Sequence, residues 1–534
     1  MRALSKIMKK KYLYPLIAGC IYALLLILLT LCERVQPGAS ITSLADAFWF
    51  SIVTLTTVGY GDLYPVTAVG RLIGLIFIFM SAGVVAAVVL VIVSAFRSKL
   101  LQFLRLRSLR DKDCCLFAAI NEASVTLARN LRQQDPGCVP VFCGTPEEYL
   151  NYPAGLDEGG TGSVRMHFFA EQIGALARKF SEGKGKHKVF LFTGNLSDDY
   201  RAAKEMEDLP VSVYCMGPQT PVLPKASFFD PDEGCARVYW KQNPLERKEE
   251  SILLIGSGHA AHAILNQALV SQCRFPFAFS TFHLFGDWSS YRELYPAMIR
   301  EFDTDSRQHG DRILFHEGSW SCDCDLLEKT ADRIIICGED LSENAELAFK
   351  LTRHFAVRAG LFVRTSGIPV PGISFGSARE IFTGENVLHS ALDRQAISQH
   401  NTYCRSVGDT TSWDDLPPFL KDSNRAAADH LLTKIRLLLA DNPPQRPDPE
   451  SCVKAADIWD AVSDRTPMRK NEHERWMRFH YVHNWRYGKV KDRALRTHPS
   501  LVPFEDLSEK VQALDDDAWS VIRAFGASEH NPEE

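Results

Sequence analysis

Charge is missing from two long stretches of this 534-residue chain: Tyr12 to Cys32 and Leu72 to Phe96 contain no Asp, Glu, Lys or Arg. Each is long enough to cross a bilayer core, which takes about 20 apolar residues. A secretory signal peptide is the alternative for the first, but no small-residue cleavage site follows it. A basic excess is also missing. The net charge of −5 argues against nucleic acid as the main partner. The 14 cysteines lack the paired spacing of a disulfide scaffold. Cys322-x-Cys324 and Cys114-Cys115 could be metal or redox ligands, yet no second pair stands at zinc-site spacing. Buried reduced thiols are therefore expected, which fits a cytosolic bulk.

Positive charge flanks the two uncharged runs. Arg2, Lys6, Lys9, Lys10 and Lys11 precede the first, and Arg97, Lys99, Arg105, Arg107 and Arg110 follow the second. Between them stand only Arg34 and Arg71. Lysine and arginine stay cytoplasmic, so a multi-pass protein of the cell inner (plasma) membrane with both termini inside is expected. The segment between the spans then re-enters from outside. Irregular backbone at that depth is tolerated only where it is buried in protein or lines water. Ala45 to Leu55 reads as a short helix whose C-terminal end, with its partial negative charge, points at the membrane centre and favours a cation. Thr56 to Leu63, TTVGYGDL, follows it. Four extended copies of Thr57-Val58-Gly59-Tyr60-Gly61 would stack rings of carbonyl oxygens that replace the water shed by a potassium ion. Gly59 and Gly61 reach φ values other residues resist, so successive carbonyls can turn to one axis. Potassium would sit at Thr57, Val58, Gly59 and Tyr60, with the Thr57 hydroxyl adding an inner ring and the Val58 and Tyr60 side chains packing outward.

From about Ala45 to Gly74 the chain resembles the pore of potassium channels, with Phe48-Trp49-Phe50-Ser51 before the filter and Asp62-Leu63-Tyr64-Pro65 after it. The resemblance implies a homotetramer in a lipid bilayer, with Trp49 and Asp62 hydrogen-bonded behind the filter as its support. Val53 stands where some family members carry a glutamate, so part of that bracing is absent. Ser81 falls at the family's hinge position and Gly83 two residues beyond it. Both are candidates for the gate hinge, and simple easing of helix packing is the alternative. No arginine-rich helix is present, which excludes a voltage sensor of that type.

From Asp113 strands alternate with helices. Strands are expected at Cys114–Ala119, Val139–Cys143, Lys188–Thr193 and Val211–Cys215, with helices at Glu122–Leu131 and Ser197–Met206. The pattern implies a parallel, doubly wound sheet. Its first strand–helix turn, Ala118-Ala119-Ile120-Asn121-Glu122, lacks the glycines that let a pyrophosphate approach. A second unit starts with a strand at Ser251–Ile255, followed by Gly256-Ser257-Gly258-His259-Ala260-Ala261 and a helix. This is the dinucleotide fingerprint in its proper context. Asp287, after a strand at Thr281–Phe285, is placed to hold a ribose, and later strands are expected at Arg333–Cys337 and Leu361–Arg364. Gly256, Gly258, Ala261, Asp287 and Asp340 are the candidate nucleotide-binding residues. Close packing of helix on strand is the other reading of the glycines.

Two such units behind a pore resemble the RCK family, regulators of potassium conductance. The resemblance rests on Gly256, Gly258, Gly338-Glu339-Asp340, Asn344 and Arg364, with Gly194-Asn195 and Asp198 as a weaker first copy. It implies a ring of eight units from four chains, whose change of shape on binding a ligand pulls the inner helices apart. The gating ligand is expected to be an adenine nucleotide or a divalent cation. Glu339 and Asp340 are the candidate cation ligands, against solvated carboxylates or a helix cap at Asp340.

Asp441–Glu450, DNPPQRPDPE, reads as a stiff linker. Behind it Asn471-Glu472-His473-Glu474-Arg475-Trp476, then Asn484-Trp485-Arg486-Tyr487-Gly488, then Thr497 to Phe504, with Leu507 and Lys510, resemble the repeat of ryanodine receptors, the RyR domain, a small helical module. Trp485, Arg486 and Tyr487 suit stacking on a flat ring and holding an anion, so they are its ligand candidates, with a nucleotide-derived small-molecule effector in view. A packed aromatic core is the alternative.

The expected fold class is therefore multi-domain: an α-helical membrane pore, two Rossmann-like α/β units and a mainly α-helical C-terminal module. The expected borders are 1–110 for the pore, 111–245 and 246–440 for the α/β units, 441–451 for the linker and 452–534 for the RyR domain. The expected function is a ligand-gated potassium channel, not an enzyme. A membrane-anchored nicotinamide oxidoreductase and a channel with a merely scaffolding soluble part are the alternatives.

Overall fold

The computed structural model describes residues 19–151, 166–218, 223–303 and 309–528. The chain divides into two compact units, Met1–Ser108 and Leu109–Glu534.

In the first unit residues 19–33 form a helix (α1), Leu44–Leu55 the short helix α2, and Ala68–Leu109 the 42-residue helix α3. The Ser43 hydroxyl accepts from the Asp46 amide, and the Asp46 carboxylate accepts from the Ser43 amide, a capping box that fixes where α2 begins. Leu26, Leu29, Ile41, Ala47, Ile73 and Phe77 are buried together. Of the expected spans 12–32 and 72–96, residues 12–18 lie outside the described residues. Among the described residues no helix is long and apolar enough to cross a membrane. The described part of α1 reaches only about 22 Å at 1.5 Å per residue, short of a core of about 30 Å. Ser81 and Gly83 both lie within α3.

In the second unit the first sheet comprises β1 (Cys114–Phe117), β2 (Val139–Cys143), β3 (His167–Phe169), β4 (His187–Leu191), β5 (Val211–Met216) and β6 (Ala226–Phe229). Between them run α4 (Glu122–Gln134), α5 (Pro146–Leu150), α6 (Ile173–Ser181) and α7 (Leu196–Glu205). α8 (Pro231–Gln242) follows. The strand order is β3-β2-β1-β4-β5-β6, all parallel. It reverses between β1 and β4, the place where a doubly wound sheet opens a crevice. All four residues of β1 are buried, as expected of a strand covered on both faces. Phe117 stacks on Phe142 and Phe190, each with ring centroids 4.8 Å apart.

The second sheet repeats this order as β12-β11-β10-β7-β8-β9. Its strands are β7 (Ser251–Ile255), β8 (Thr281–Phe285), β9 (Arg312–His316), β10 (Arg333–Ile336), β11 (Gly360–Arg364) and β12 (Ile373–Phe375). Its helices are α9 (His259–Ser271), α10 (Ser289–Leu294), α11 (Pro296–Phe302) and α12 (Leu341–His354), then the short α13 (Ala378–Ile381) and α14 (Gly384–Val387).

The expected border at 245/246 is not a boundary between cores. α8 follows the first sheet, yet its Cys235, Ala236, Tyr239 and Trp240 are buried in the core of the second. The Trp240 indole donates to the Ile264 carbonyl at 2.9 Å. In the other direction Phe382, Val387 and Leu388 pack on the first core, and the Gly384 amide donates to Asn130 Oδ1 at 2.7 Å. Each unit thus lends the other a segment. The reason for α8 lies in its spacing: the apolar residues at 235, 236, 239 and 240 make one stripe, which must be buried somewhere.

The remaining helices are α15 (Arg394–Val407), α16 (Pro418–Asp429), α17 (Leu431–Leu438), α18 (Pro449–Ala461), α19 (Thr466–Val482), α20 (Glu509–Gln512) and α21 (Asp515–Ser528). A two-residue strand pair, β13 (Arg486–Tyr487) and β14 (Thr497–His498), completes the chain. The segment 441–451 differs from a free linker. Asp448 caps α18, which begins inside it, and Arg436 holds the Pro444 carbonyl at 2.6 Å. Leu431 and Ile435 of α17 share a core with Trp459 of α18 and Trp519 of α21, whose rings stack at 5.5 Å.

The C-terminal module is not a separate body either. α19 lies against α9, and Met477, Tyr481, Trp485 and Leu501 enter the second sheet's core. The contact carries charge. Arg478, fully buried, bonds to Asp311 at 2.5 Å, to Glu474 at 2.7 Å and to the Leu269 carbonyl at 3.0 Å. Asn471 donates to the carbonyls of Cys273 and Phe275. Glu472 binds Lys434 at 2.8 Å and Arg475 at 2.6 Å.

Candidate functional site

The loop after α2 has positive φ at the two glycines singled out from the sequence and also at Thr57, which was expected to be extended. Thr57, Gly59 and Gly61 have φ of 60°, 59° and 74°, whereas Val58 and Tyr60 are not in that region. In a regular strand successive carbonyls point to opposite sides. Alternating left- and right-handed φ cancels that alternation and turns them to one side. For Thr57, β-branched, such a φ costs on the order of 1–3 kcal/mol and is held by its surroundings. The amides of Val58 and Gly59 both donate to the Val53 carbonyl, at 3.0 and 3.2 Å. Behind the loop the Trp49 indole donates to Asp62 at 3.0 Å, and the Trp49 and Tyr60 rings lie parallel, 6.2 Å apart. Val58 and Tyr60 are exposed in the single chain.

One brace escaped the sequence reading. Glu33, just after the first uncharged run, is fully buried and accepts from the amides of Val66 and Thr67 at 2.8 and 3.0 Å and from the Thr67 hydroxyl. It ties the end of α1 to the segment between the Thr57–Gly61 loop and α3. The signal available was a lone acid at the edge of an uncharged run.

At the fingerprint of the second sheet the glycines serve close approach. Gly256 has φ 127°, and a Cβ there would lie 2.4 Å from the Gly338 amide nitrogen. A Cβ on Gly258 would meet Glu339 Oε1 at 2.0 Å. That same oxygen accepts from the His259 amide at 2.7 Å. The carboxylate of Glu339 therefore stands at the start of α9, where a nucleotide phosphate would be drawn by the helix dipole and free amides. Ala261 is buried beneath the turn. Asp287 is exposed and accepts from the Ser289 amide. Asp340 caps α12, accepting from Ser342 and Glu343, the structural role weighed for it from sequence. Asn344 bonds to Gly338 through both amide atoms and donates to the Arg364 carbonyl, so these residues knit strand ends together. Among the described residues no cluster of His, Cys, Asp and Glu could hold a metal ion.

The first sheet differs. A cavity of about 600 Å³ opens beyond the C-terminal ends of β1 to β4, lined by Ala118, Gly144, Ala170, Thr193, Asp198 and Arg201 among others. In place of glycines, Asn121 caps α4 by accepting from the Ser124 amide at 2.9 Å, and its amide group donates to the Phe192 carbonyl.

In the C-terminal module the structure separates the three candidates. Trp485 is 3% exposed and stacks on Phe419 at 5.1 Å, so it is core and offers no free face to a ligand. A domain this small cannot fill its interior without its aromatics. Arg486 and Tyr487 are exposed on β13 and line a cavity of about 300 Å³ with Arg300, Tyr481, Leu501 and Pro503. Among the described residues no disulfide joins two cysteines and most of the thiols are buried, with Cys20 and Cys324 exposed. Burial pushes the thiols of Cys114 and Cys143 up to about 12.

Comparison with known proteins bears on both ends of the chain. Residues 16–98 match the family described as "Ion channel", and residues 459–528 match the RyR domain. The potassium voltage-gated channel protein shk-1 of Caenorhabditis elegans is 38% identical over 80 residues, 15% of this chain and 15% of its own. Human potassium voltage-gated channel subfamily A member 4 is 42% identical over 126 residues, 24% of this chain and 18% of its own. The chain thus spans less than a fifth of the curated relatives it matches. Two solved structures align weakly. GsuK bound to ADP has 16% identity and a TM-score of 0.34, over 71% of this chain and 99% of that one. The GsuK channel bound to NAD has 12% identity and a TM-score of 0.35, over 72% and 84%. The family matched at the N-terminal end is one of ion channels, not enzymes, and the chain joins a segment similar to it at residues 16–98 to one similar to the RyR domain at residues 459–528.

Proposed function

We propose that four copies of this chain form a potassium-selective pore in the inner (plasma) membrane, opened or closed by a ligand of the cytoplasmic part. The observation that carries the reading is the alternating backbone of Thr57, Gly59 and Gly61 in front of the Trp49–Asp62 bond. Carbonyls turned to one side give a potassium ion the oxygen ligands it loses with its water, provided four chains meet at one axis. The chain would cross the bilayer twice with both termini inside, and Ser81 and Gly83 are the proposed hinge of the inner helix.

For the ligand we propose an adenine nucleotide at the second sheet, with Gly256, Gly258, Ala261 and Asp287 around it. Its phosphate would displace Glu339 from the His259 amide, which supports a binding-linked change in the loop that carries Gly338. Asp340 keeps its capping role. The coupling to the gate can be no larger than the difference in affinity between the two states, typically about 1–3 kcal/mol per site. The RyR domain would modulate gating through a small effector at Arg486 and Tyr487.

The test is potassium flux from liposomes carrying the purified chain, with and without Gly59→Asp, under a panel of adenine nucleotides and divalent cations. Selective flux, lost on substitution and shifted by a nucleotide, is the expected result. Flux that ignores every ligand would leave the pore and remove the gating proposal. No selective flux would remove both.

A further inference from the structure

Where the two sheets meet α19 the structure holds a cavity of about 560 Å³, partly open to solvent, that the pore and the nucleotide proposal both leave unused. Three bodies wall it. The first sheet's side contributes Leu196 of α7 and Met216 of β5, α9 beside the second sheet contributes Ala263 and Val270, and α19 contributes Phe479 and Val482. Its volume lies in the range of small-molecule sites, and its wall is apolar with a few polar groups.

Those polar groups are strongly biased. Asp199, Asp230, Asp232, Glu233, Asp422 and Asp429 all line the cavity, and the only lysine or arginine among the lining residues is Arg425. Arg425 is already committed to Asp393 and Asp422. Most of the acids are engaged as well. Asp429 holds Arg237 and the Gln267 amide, Asp232 holds Arg364, Asp199 accepts from Thr193, and Asp230 caps α8. Glu233 is the exception, since no described residue hydrogen-bonds to its carboxylate. A second polar group in the wall is also incomplete: His262 is 3% exposed, and its Nδ1 has no hydrogen-bond partner.

We propose that this cavity is a binding site for a small organic cation with an apolar body, a primary amine or amidine, whose charge is taken by Glu233. A surplus of carboxylate repels phosphate, so the site is distinct in kind from a nucleotide site. An ammonium group beside Glu233 meets the lining carboxylate that no described residue hydrogen-bonds, while the apolar body covers Val270, Phe479 and Val482. Desolvation pushes the Glu233 carboxyl up to about 7, against the opposing pull of Arg425. Asp422, Asp230 and Arg237 are the other charges that face it. A ligand here would touch both sheets and the RyR helix at once.

The experiment is titration calorimetry on the full chain in detergent at pH 8, where the carboxylate is ionised, with tryptamine and agmatine as cationic probes and indole-3-acetate as the anionic counterpart of the first. Saturable binding of an amine at one per chain, no binding of indole-3-acetate, and at least tenfold weaker binding in Glu233→Gln are expected. Ala263→Phe, which fills the wall without touching charge, should weaken the same amine by a similar factor. Thermal unfolding of each variant without probe shows that it is folded. Failure of both amines to bind would overturn the proposal. So would binding that neither substitution changes, or equal binding of the acid. None of these outcomes depends on whether the pore conducts.

Discussion

The two sheets of the unit Leu109–Glu534 share one strand order and treat their crevices in opposite ways. The first has no glycine at its first turn, caps its helix with Asn121, and leaves about 600 Å³ open past its strands. The second has the full glycine pattern and spends it on packing, with Gly256 against Gly338 and Glu339 on the helix start. A glycine fingerprint reports that something comes close to the backbone. Here the nearest thing is the protein's own loop. The same half of the molecule is the one fastened to the RyR helix, through buried charges around Arg478.

The largest effect should come from unfastening that helix. Arg478→Met leaves Asp311 and Glu474 buried without the guanidinium they share and is expected to cost about 3–5 kcal/mol in denaturant unfolding of the unit Leu109–Glu534. A loss under about 1 kcal/mol would mean that the RyR domain is only loosely attached.

Next is the asymmetry of the first turns. Gly256→Ala places a Cβ 2.4 Å from the Gly338 amide at a φ of 127°, and is expected to cost about 3 kcal/mol in the same assay. Ala118→Gly, at the matching point of the first sheet, should cost about 1 kcal/mol or less. Equal costs would erase the contrast between the two turns.

His309, buried beside the second sheet, gives that side a pH signature of its own. Burial by itself would lower the His309 pKa, but the carboxylates of Glu474 and Glu301 outweigh it and raise it to about 9. Protonated His309 therefore adds stability that is complete below pH 6.5 and is lost as pH rises to about 9. The unfolding midpoint should fall across that window by on the order of 1–3 kcal/mol, and His309→Gln should flatten this part of the curve. An unchanged slope in the variant would remove the protonated histidine from the joint.

The smallest effect tests the filled crevice directly. Glu339→Gln removes a negative charge from the place proposed for a phosphate, and should tighten binding of adenosine diphosphate about tenfold, or about 1.4 kcal/mol. Unchanged affinity would move the nucleotide to the open crevice of the first sheet.

Much of the pore loop was legible in the sequence because its chemistry is local. Trp49 and Asp62 lie thirteen residues apart on either side of one turn, and the positive φ at 59 and 61 falls on the two glycines, whereas the positive φ at Thr57 had no residue-type signal. Both sheets were legible from alternating strands and helices, although the short strands β3, β6, β9 and β12 were missed because three to five apolar residues make a weak periodic signal. What the sequence hides is pairing at long range. Nothing in Glu339 alone says that it meets His259, eighty residues away. Nothing in the HERW stretch says that Glu474 and Arg478 turn toward His309 and Asp311. The Pro-rich segment at 441–450 looks like a tether because its composition is that of one, and it is held by neighbours on α17 and α18 that composition does not reveal.

The most direct measurement is the reversal potential of the purified full chain in planar bilayers, with potassium on one side and sodium on the other. Carbonyl rings at Thr57 to Tyr60 predict a reversal potential close to the potassium equilibrium potential, abolished with the current in Gly59→Asp. A current that reverses near zero, or one that survives the substitution, would contradict the filter and the function proposed for it.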